Sequence, residues 1–231
     1  MELLECKHLY KSYDDTPVLK DINLKIERGK IIGLLGKNGV GKSTLIKIIN
    51  DLLVPTEGEV YINGEKPGVN SKKTIAYLPE RTYLDKEMKI SEGFHYFEEF
   101  YDNFNIEKAK KLLKDLNLDI NKKISKMSKG MQEKLQLVLV MSRDADLYIL
   151  DEPLGGVDPA TRDYILDTIL SNFKEGASMI ISTHLISDIE RILDEVIFMN
   201  DGKIILTSPA DELREKEKGS IDEIFRRCFK C

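Results

Sequence analysis

Apolar and polar residues alternate from Leu3 to Leu9 and again from Val18 to Ile26, a period of two that predicts half-buried antiparallel strands with Asp14-Asp15-Thr16-Pro17 as the turn between them. The pattern then changes. Lys30-Ile31-Ile32-Gly33-Leu34-Leu35 reads as a buried strand, and Leu45, Ile46, Ile49 and Leu53 after it keep helical spacing. Strand patterning resumes at residues 60–64 and 74–78. From about Ile90 to Arg143 the helical period runs almost without interruption, which reads as a helical insertion. Beyond it, residues 146–150, 178–182 and 196–199 are short apolar strands separated by helices, the rhythm of a parallel sheet covered on both faces. Asp158 before Pro159 marks a helix start, and Ser208-Pro209-Ala210-Asp211 and Ser220-Ile221-Asp222-Glu223 have capping-box form. The last helix places Ile221, Ile224, Phe225 and Cys228 on one face and is too short to be stable alone.

Composition narrows the classes without naming one. The 231 residues suffice for one large α/β domain carrying an insertion, and 32% charged beside 42% hydrophobic residues is ordinary for a globular protein. A formal net charge of -5 with no basic arm argues against a nucleic-acid partner. No apolar run approaches the roughly 18 residues of a membrane span, and Met1-Glu2-Leu3-Leu4-Glu5 lacks a signal pattern, so a cytoplasmic chain is expected. Cys6, Cys228 and Cys231 form no regular framework, and Cys228-Phe229-Lys230-Cys231 lacks the second ligand pair or βαβ context that a metal or redox role needs.

Two segments carry chemistry. Gly36, Lys37, Asn38, Gly39, Val40, Gly41, Lys42 and Ser43 match G-x-x-x-x-G-K-[ST] between a strand and a helix, the loop whose backbone N–H groups and helix dipole bind nucleotide phosphates. Lys42 is expected on the β- and γ-phosphates, Ser43 on Mg²⁺ and Thr44 on a further phosphate oxygen. Leu147-Tyr148-Ile149-Leu150 then delivers Asp151 and Glu152 at a strand's C-terminal end, where sheet-borne sites sit. Asp151 is expected to help hold Mg²⁺, and Glu152 to orient and deprotonate the water that attacks the γ-phosphate. A strand-end acidic pair is often merely solvated; the phosphate loop upstream shifts the balance toward catalysis.

Five further motifs stand in order around these two. They are Lys11-Ser12-Tyr13, Leu78-Pro79-Glu80, Met127-Ser128-Lys129-Gly130-Met131, Leu154-Gly155-Gly156-Val157-Asp158 and Ser182-Thr183-His184. With them the chain, over nearly its whole length, resembles the nucleotide-binding subunit of an ATP-binding cassette (ABC) transporter, most like the branch serving export of antibiotics and small peptides.

The resemblance implies an α/β fold of the P-loop NTPase kind: a mostly parallel core sheet, an antiparallel N-terminal β-subdomain and an inserted helical subdomain. Residues 1–88 and 144–208 would form the core, 89–143 the helical subdomain and 209–231 a C-terminal tail, which docks on its own body or across a dimer. It further implies a Mg²⁺-dependent ATPase that closes as a dimer, identical or paralogous, on two ATP molecules and drives integral-membrane subunits from the inner face of the membrane. Tyr13 would stack on adenine. Glu80 would reach Mg²⁺ or its water in place of the usual glutamine, and His184 would contact the γ-phosphate and hold the attacking water with Glu152. Ser128 and Gly130, in a variant of the Leu-Ser-Gly-Gly-Gln signature, would close on the ATP of the opposite subunit, and Lys129 adds a positive charge there or points to solvent. Six aromatic side chains fall between residues 94 and 104; Phe94, Phe97, Tyr101 and Phe104 share helical spacing and are expected in the core, while exposed ones would line a groove for a short helix of the membrane subunit. An ABC ATPase without a membrane partner, and a nucleotide-gated regulatory module, are the alternatives.

Overall fold

The computed structural model describes residues 2–229, apart from the side chain of Ala160. Two long strands, β1 (Glu2–Tyr13) and β2 (Thr16–Glu27), pair antiparallel, and β4 (Glu57–Ile62) joins β1 from the other side to close a three-stranded sheet. The turn is tighter than the sequence predicts. Thr16 and Pro17 already belong to β2, opposite Tyr13 and Ser12, because an edge strand tolerates a proline that donates no hydrogen bond.

The second sheet has six strands in the order β5 (Ile75–Leu78), β6 (Leu147–Asp151), β7 (Ser178–Thr183), β3 (Ile31–Leu35), β8 (Glu195–Asn200) and β9 (Lys203–Pro209). All neighbours run parallel except β8 and β9. Strands β6 and β7 are buried at every position, as strands covered on both faces must be. On one face α1 (Lys42–Ile49) packs Leu45, Ile46 and Ile49 between the two sheets. On the other lie α6 (Pro159–Asn172), the short α7 (Ile186–Ile189) and the two final helices, α8 (Ala210–Glu217) and α9 (Ile221–Phe229). A one-and-a-half-turn helix, α2 (Val69–Thr74), leads into β5.

The stretch from 90 to 143 is less continuous than its periodicity predicts. It forms α3 (Ile90–Phe100), α4 (Ile106–Asp115) and α5 (Lys129–Met141), joined by irregular chain. Asn105 stops the first gap by capping α4, its Oδ1 accepting from the Lys108 N–H at 2.9 Å, and Asn117 at φ 51 opens the second in the left-handed conformation that asparagine tolerates. These helices keep a core of their own, in which Phe94 and Phe97 are buried with Leu112, Leu113, Leu135 and Val138, while Tyr101 and Phe104 are partly buried against them. Tyr96 and Phe100 face outward and stack on each other with centroids 4.4 Å apart.

Arg143 ties this layer to the sheet. Its guanidinium donates to the carbonyls of Lys72, Lys73 and Ile75 and to Asn103 Oδ1, and lies 3.7 Å over the Tyr101 ring. Burial lowers its pKa to about 10, so it stays charged at neutral pH.

Two of the predicted local features differ. Ser208 caps nothing: β9 extends to Pro209, which itself stands at the head of α8, and the Ser208 hydroxyl bonds the Pro209 carbonyl instead. Ser220 and Glu223 do form the reciprocal box. In α9, Ile221, Ile224 and Phe225 are buried on the chain's own body, Phe225 edge-on to Phe198, but Cys228 is exposed at the rim of that face. Cys231 lies outside the described residues. Cys6 is buried beneath the antiparallel sheet, which pushes its thiol up to about 12 and leaves it unreactive.

Candidate active site

The phosphate loop follows β3 and opens α1. Its glycines answer to geometry: a Cβ on Gly36 would stand 2.8 Å from the Met199 carbonyl oxygen, and Gly41 holds φ 108 against the Val18 carbonyl. Gly41 heads α1 with no side chain capping it, so the first-turn N–H groups are left for an anion. Lys42 is buried and folds back over the loop, Nζ donating to the carbonyls of Gly36 at 2.7 Å and Lys37 at 3.3 Å.

From the neighbouring strand ends come the carboxylates. Asp151 ends β6, and its Oδ1 accepts from Ser43 Oγ at 3.2 Å and Ser182 Oγ at 2.5 Å. Burial raises the Asp151 pKa above the usual carboxylate value; the two hydroxyls oppose that shift, and the charges of Glu152 and Glu80 add to it. Glu152 follows at φ 50, with its N–H bonded to the carbonyl and hydroxyl of Ser182. Its Oε2 lies 2.9 Å from His184 Nδ1, and its Oε1 lies 3.4 Å from Lys42 Nζ without hydrogen-bond geometry. A carboxylate only accepts, so Nδ1 is the donor and the other ring nitrogen is free for another partner.

Gly41, Lys42, Ser43, Glu152 and His184 line one cleft of about 830 Å³ with Asn38, Gly39, Thr44 and Glu80, closed on its far side by Gly155, Gly156, Lys129 and Glu133, while Asp151 lines a smaller cavity that shares Glu80 and Glu152 with it. Ser43 and Asp151 present hard oxygen donors, the kind Mg²⁺ takes, and Glu80 lines the same cleft. Among the described residues no cluster of three or more His, Cys, Asp and Glu side chains stands ready for a metal.

Six of the residues expected on nucleotide do not line the cleft: Gly36, Lys37 and Val40 within the phosphate loop, and Tyr13, Ser128 and Gly130 outside it. Tyr13 is half-exposed at the end of β1, with Lys11 Nζ 5.3 Å from its ring. Ser128 caps α5, accepting from the Met131 N–H at 3.3 Å, and Gly130 sits in that first turn with open space where a Cβ would be. Gln132, next to the altered end of the signature, braces its own turn by donating to Ile124 and Met127 carbonyls. Ser182, Glu133 and Gln136 carry no motif of their own. Only Ser182 had a signal, as the residue opening Ser-Thr-His.

A family model described as ABC transporter matches residues 19–155. The ABC-type transporter ATP-binding protein EcsA of Bacillus subtilis (strain 168) is 32% identical, the alignment covering 97% of this chain and 96% of that protein. The SkfA peptide export ATP-binding protein SkfE of the same organism is 29% identical over 89% of this chain and 88% of its own. Among solved structures, an ATP-binding subunit of an ABC transporter superposes with a TM-score of 0.88 at 29% identity, covering 97% of this chain and 98% of that one.

Proposed function

Because the chain belongs to the ABC transporter family, as an ATP-binding subunit whose ATPase activity is coupled to transport, we propose that it closes on ATP as a dimer and drives export through separate membrane subunits. One observation carries the dimer. The phosphate loop, Glu152 and His184 line a single cleft, whereas Ser128 and Gly130, on either side of Lys129 at the head of α5, do not line it. Each subunit then holds two half-sites, and the uncapped first-turn N–H groups of α5 are left for the γ-phosphate of a partner's ATP. Lys129 stands beside them as a further positive charge.

In this reading Lys42 leaves the Gly36 carbonyl for the β- and γ-phosphates, and the loop N–H groups from Lys37 to Ser43 wrap the phosphate chain. Ser43, Asp151 and Glu80 hold Mg²⁺, which when bound supplies charge neutralisation at the phosphates. Glu152 takes the proton of the attacking water, and His184 fixes the carboxylate's orientation while its free nitrogen meets the γ-phosphate. Tyr13 gives the adenine a face. Residues 89–143 act as a helical subdomain on the 1–88 and 144–208 core.

Export follows the SkfE name and the chain's resemblance to that branch. A groove of about 440 Å³ between the sheet and α3, lined by Tyr77, Tyr83, Tyr96, Tyr101, Lys47 and Arg81, is suited to a short helix of the membrane subunit. Pro79 and Arg81 line this groove while Glu80, Arg81 and Thr82 line the nucleotide cleft, so one segment faces both. Among the described residues no helix is long and apolar enough to cross a membrane. The test is detergent co-purification from native membranes, followed by sizing of the Glu152→Gln variant with ATP. An integral-membrane partner and an ATP-dependent dimer are expected; a monomer with full turnover overturns the proposal.

A further inference from the structure

One buried polar side chain takes no part in the chemistry described so far. Helix α5 presents Leu135, Leu137, Val138, Leu139, Val140 and Met141 to the interior, and Gln136, only 2% exposed, interrupts that run. An amide buried in apolar surroundings is costly unless it is bonded. Its Nε2 donates to the Pro79 carbonyl at 3.2 Å. Among the described residues this is the sole hydrogen bond between α5 and the segment 79–82. Leu137 and Val140 of α5 pack with Leu78 just before the segment, but beyond Pro79 a cavity of about 30 Å³, walled by Gln136, Glu133, Glu80, Thr82 and Glu152, lies between the two elements, so there the bond is the direct polar link.

We propose that Gln136 is a positioning residue that latches α5 to the segment 79–82, so that the helix carrying Ser128 moves with the segment carrying Glu80. Gln136 lies two helical turns beyond Ser128, roughly 12 Å along the axis. A shift of Pro79, whether started at the nucleotide through Glu80 or at the aromatic groove through Arg81, is passed through the amide to a rigid helix and appears at its phosphate-facing end. Without the amide, α5 and the segment move independently. The inference rests on the reading of Ser128 as the contact across the dimer, but the latch itself exists within one subunit.

The variant is Gln136→Met, which keeps the length and loses the donor. In the Glu152→Gln background it should require about tenfold more ATP to dimerise, as read by sedimentation, the scale of one buried hydrogen bond. Binding of a fluorescent ATP analogue to the single subunit should be unchanged, because among the described residues no hydrogen bond joins the phosphate loop to α5. A dimerisation requirement within about twofold of the parent overturns the latch, and so does an equal loss of single-subunit affinity, which marks general damage. If the Glu152→Gln parent fails to dimerise, the composite site falls, and hydrogen exchange on the single subunit judges the latch separately. Residues 80–84 and 128–135 should then exchange faster together in Gln136→Met; unchanged exchange overturns it. Should that protein prove insoluble, Gln136→Asn, whose amide is one methylene short, is read by the same two measurements.

Discussion

His184 Nδ1 stands 2.9 Å from Glu152 Oε2, joining the ends of the adjacent strands β6 and β7. The glutamate is held there against its backbone preference. At φ 50 it occupies a conformation that costs a non-glycine residue about 1–2 kcal/mol, and both acceptors of Ser182 retain its N–H in that position. The strain aims the carboxylate into the cleft between Lys42 and the imidazole.

Glu152→Gln keeps the size and the histidine contact but loses the base. Turnover should fall by about 10²–10⁴-fold while ATP still binds, because the loop and Lys42 are untouched. Phosphate release and analogue binding measured on one preparation separate the two. Turnover within about threefold of the parent would show that another group takes the proton.

Asp151 predicts a pH dependence of its own. Its raised pKa means that the fold favours the neutral acid, a contribution present below the ordinary carboxylate pKa and lost as pH rises through the raised value. At neutral pH the ionised carboxylate therefore works against the nucleotide-free subunit. Asp151→Asn should melt higher than wild type at pH 7, by roughly 2 °C or more, and the difference should vanish in acid. Magnesium needs the carboxylate, so the wild-type Mg²⁺ requirement should climb on acidification at a pH above that of an exposed aspartate. A variant that melts lower at pH 7 contradicts the assignment. Ser182→Ala removes a donor that opposes the shift, and should raise the Mg²⁺ requirement by about fivefold.

The sequence made the sheet and the cleft floor legible because their signals are local. Gly36 to Ser43 is a contiguous loop, and Leu147 to Asp151 is an unbroken apolar run ending in acids, so the phosphate loop and carboxylates were placed before any contact was known. Periodicity served less well between 90 and 143. It reports which face is buried but not where a chain turns, and the turns at Asn105 and Asn117 rest on single polar residues within a helical pattern. Ser208 shows the opposite error: a capping pattern was present, but pairing with β8 carried the strand through to Pro209. Arg143 and Gln136 carried no pattern at all, since each acts through partners between 40 and 71 residues away.

Arg143 should be the costliest single loss outside the sheet cores. Arg143→Met removes the donor from the buried Ile75 carbonyl and from the partly buried carbonyls of Lys72 and Lys73, of which Lys73 keeps Asn103 Nδ2, and removes the cation from Tyr101. The expected destabilisation is about 3–5 kcal/mol, seen as a drop of about 10 °C in melting temperature. Arg143→Lys should recover little, because one ammonium cannot serve carbonyls that a planar fork reaches together. Full recovery by lysine would mean that charge matters here and geometry does not.

The outward aromatics give the test of docking. Tyr83 and Tyr96 border the groove, are 50% and 48% exposed, and lie outside the nucleotide cleft wall. Burying such rings against a partner helix contributes about 1–3 kcal/mol each, which at an interface is roughly a tenfold to hundredfold change in affinity. Tyr83→Ala with Tyr96→Ala should therefore release the subunit from detergent-solubilised membranes, while the purified protein keeps its ATP affinity. The same pair should leave melting nearly unchanged, since neither ring belongs to the buried core of the helical layer. Retention on membranes with both rings removed would place the docking surface elsewhere. A parallel fall in ATP affinity would show that the rings support the segment 79–82 from within.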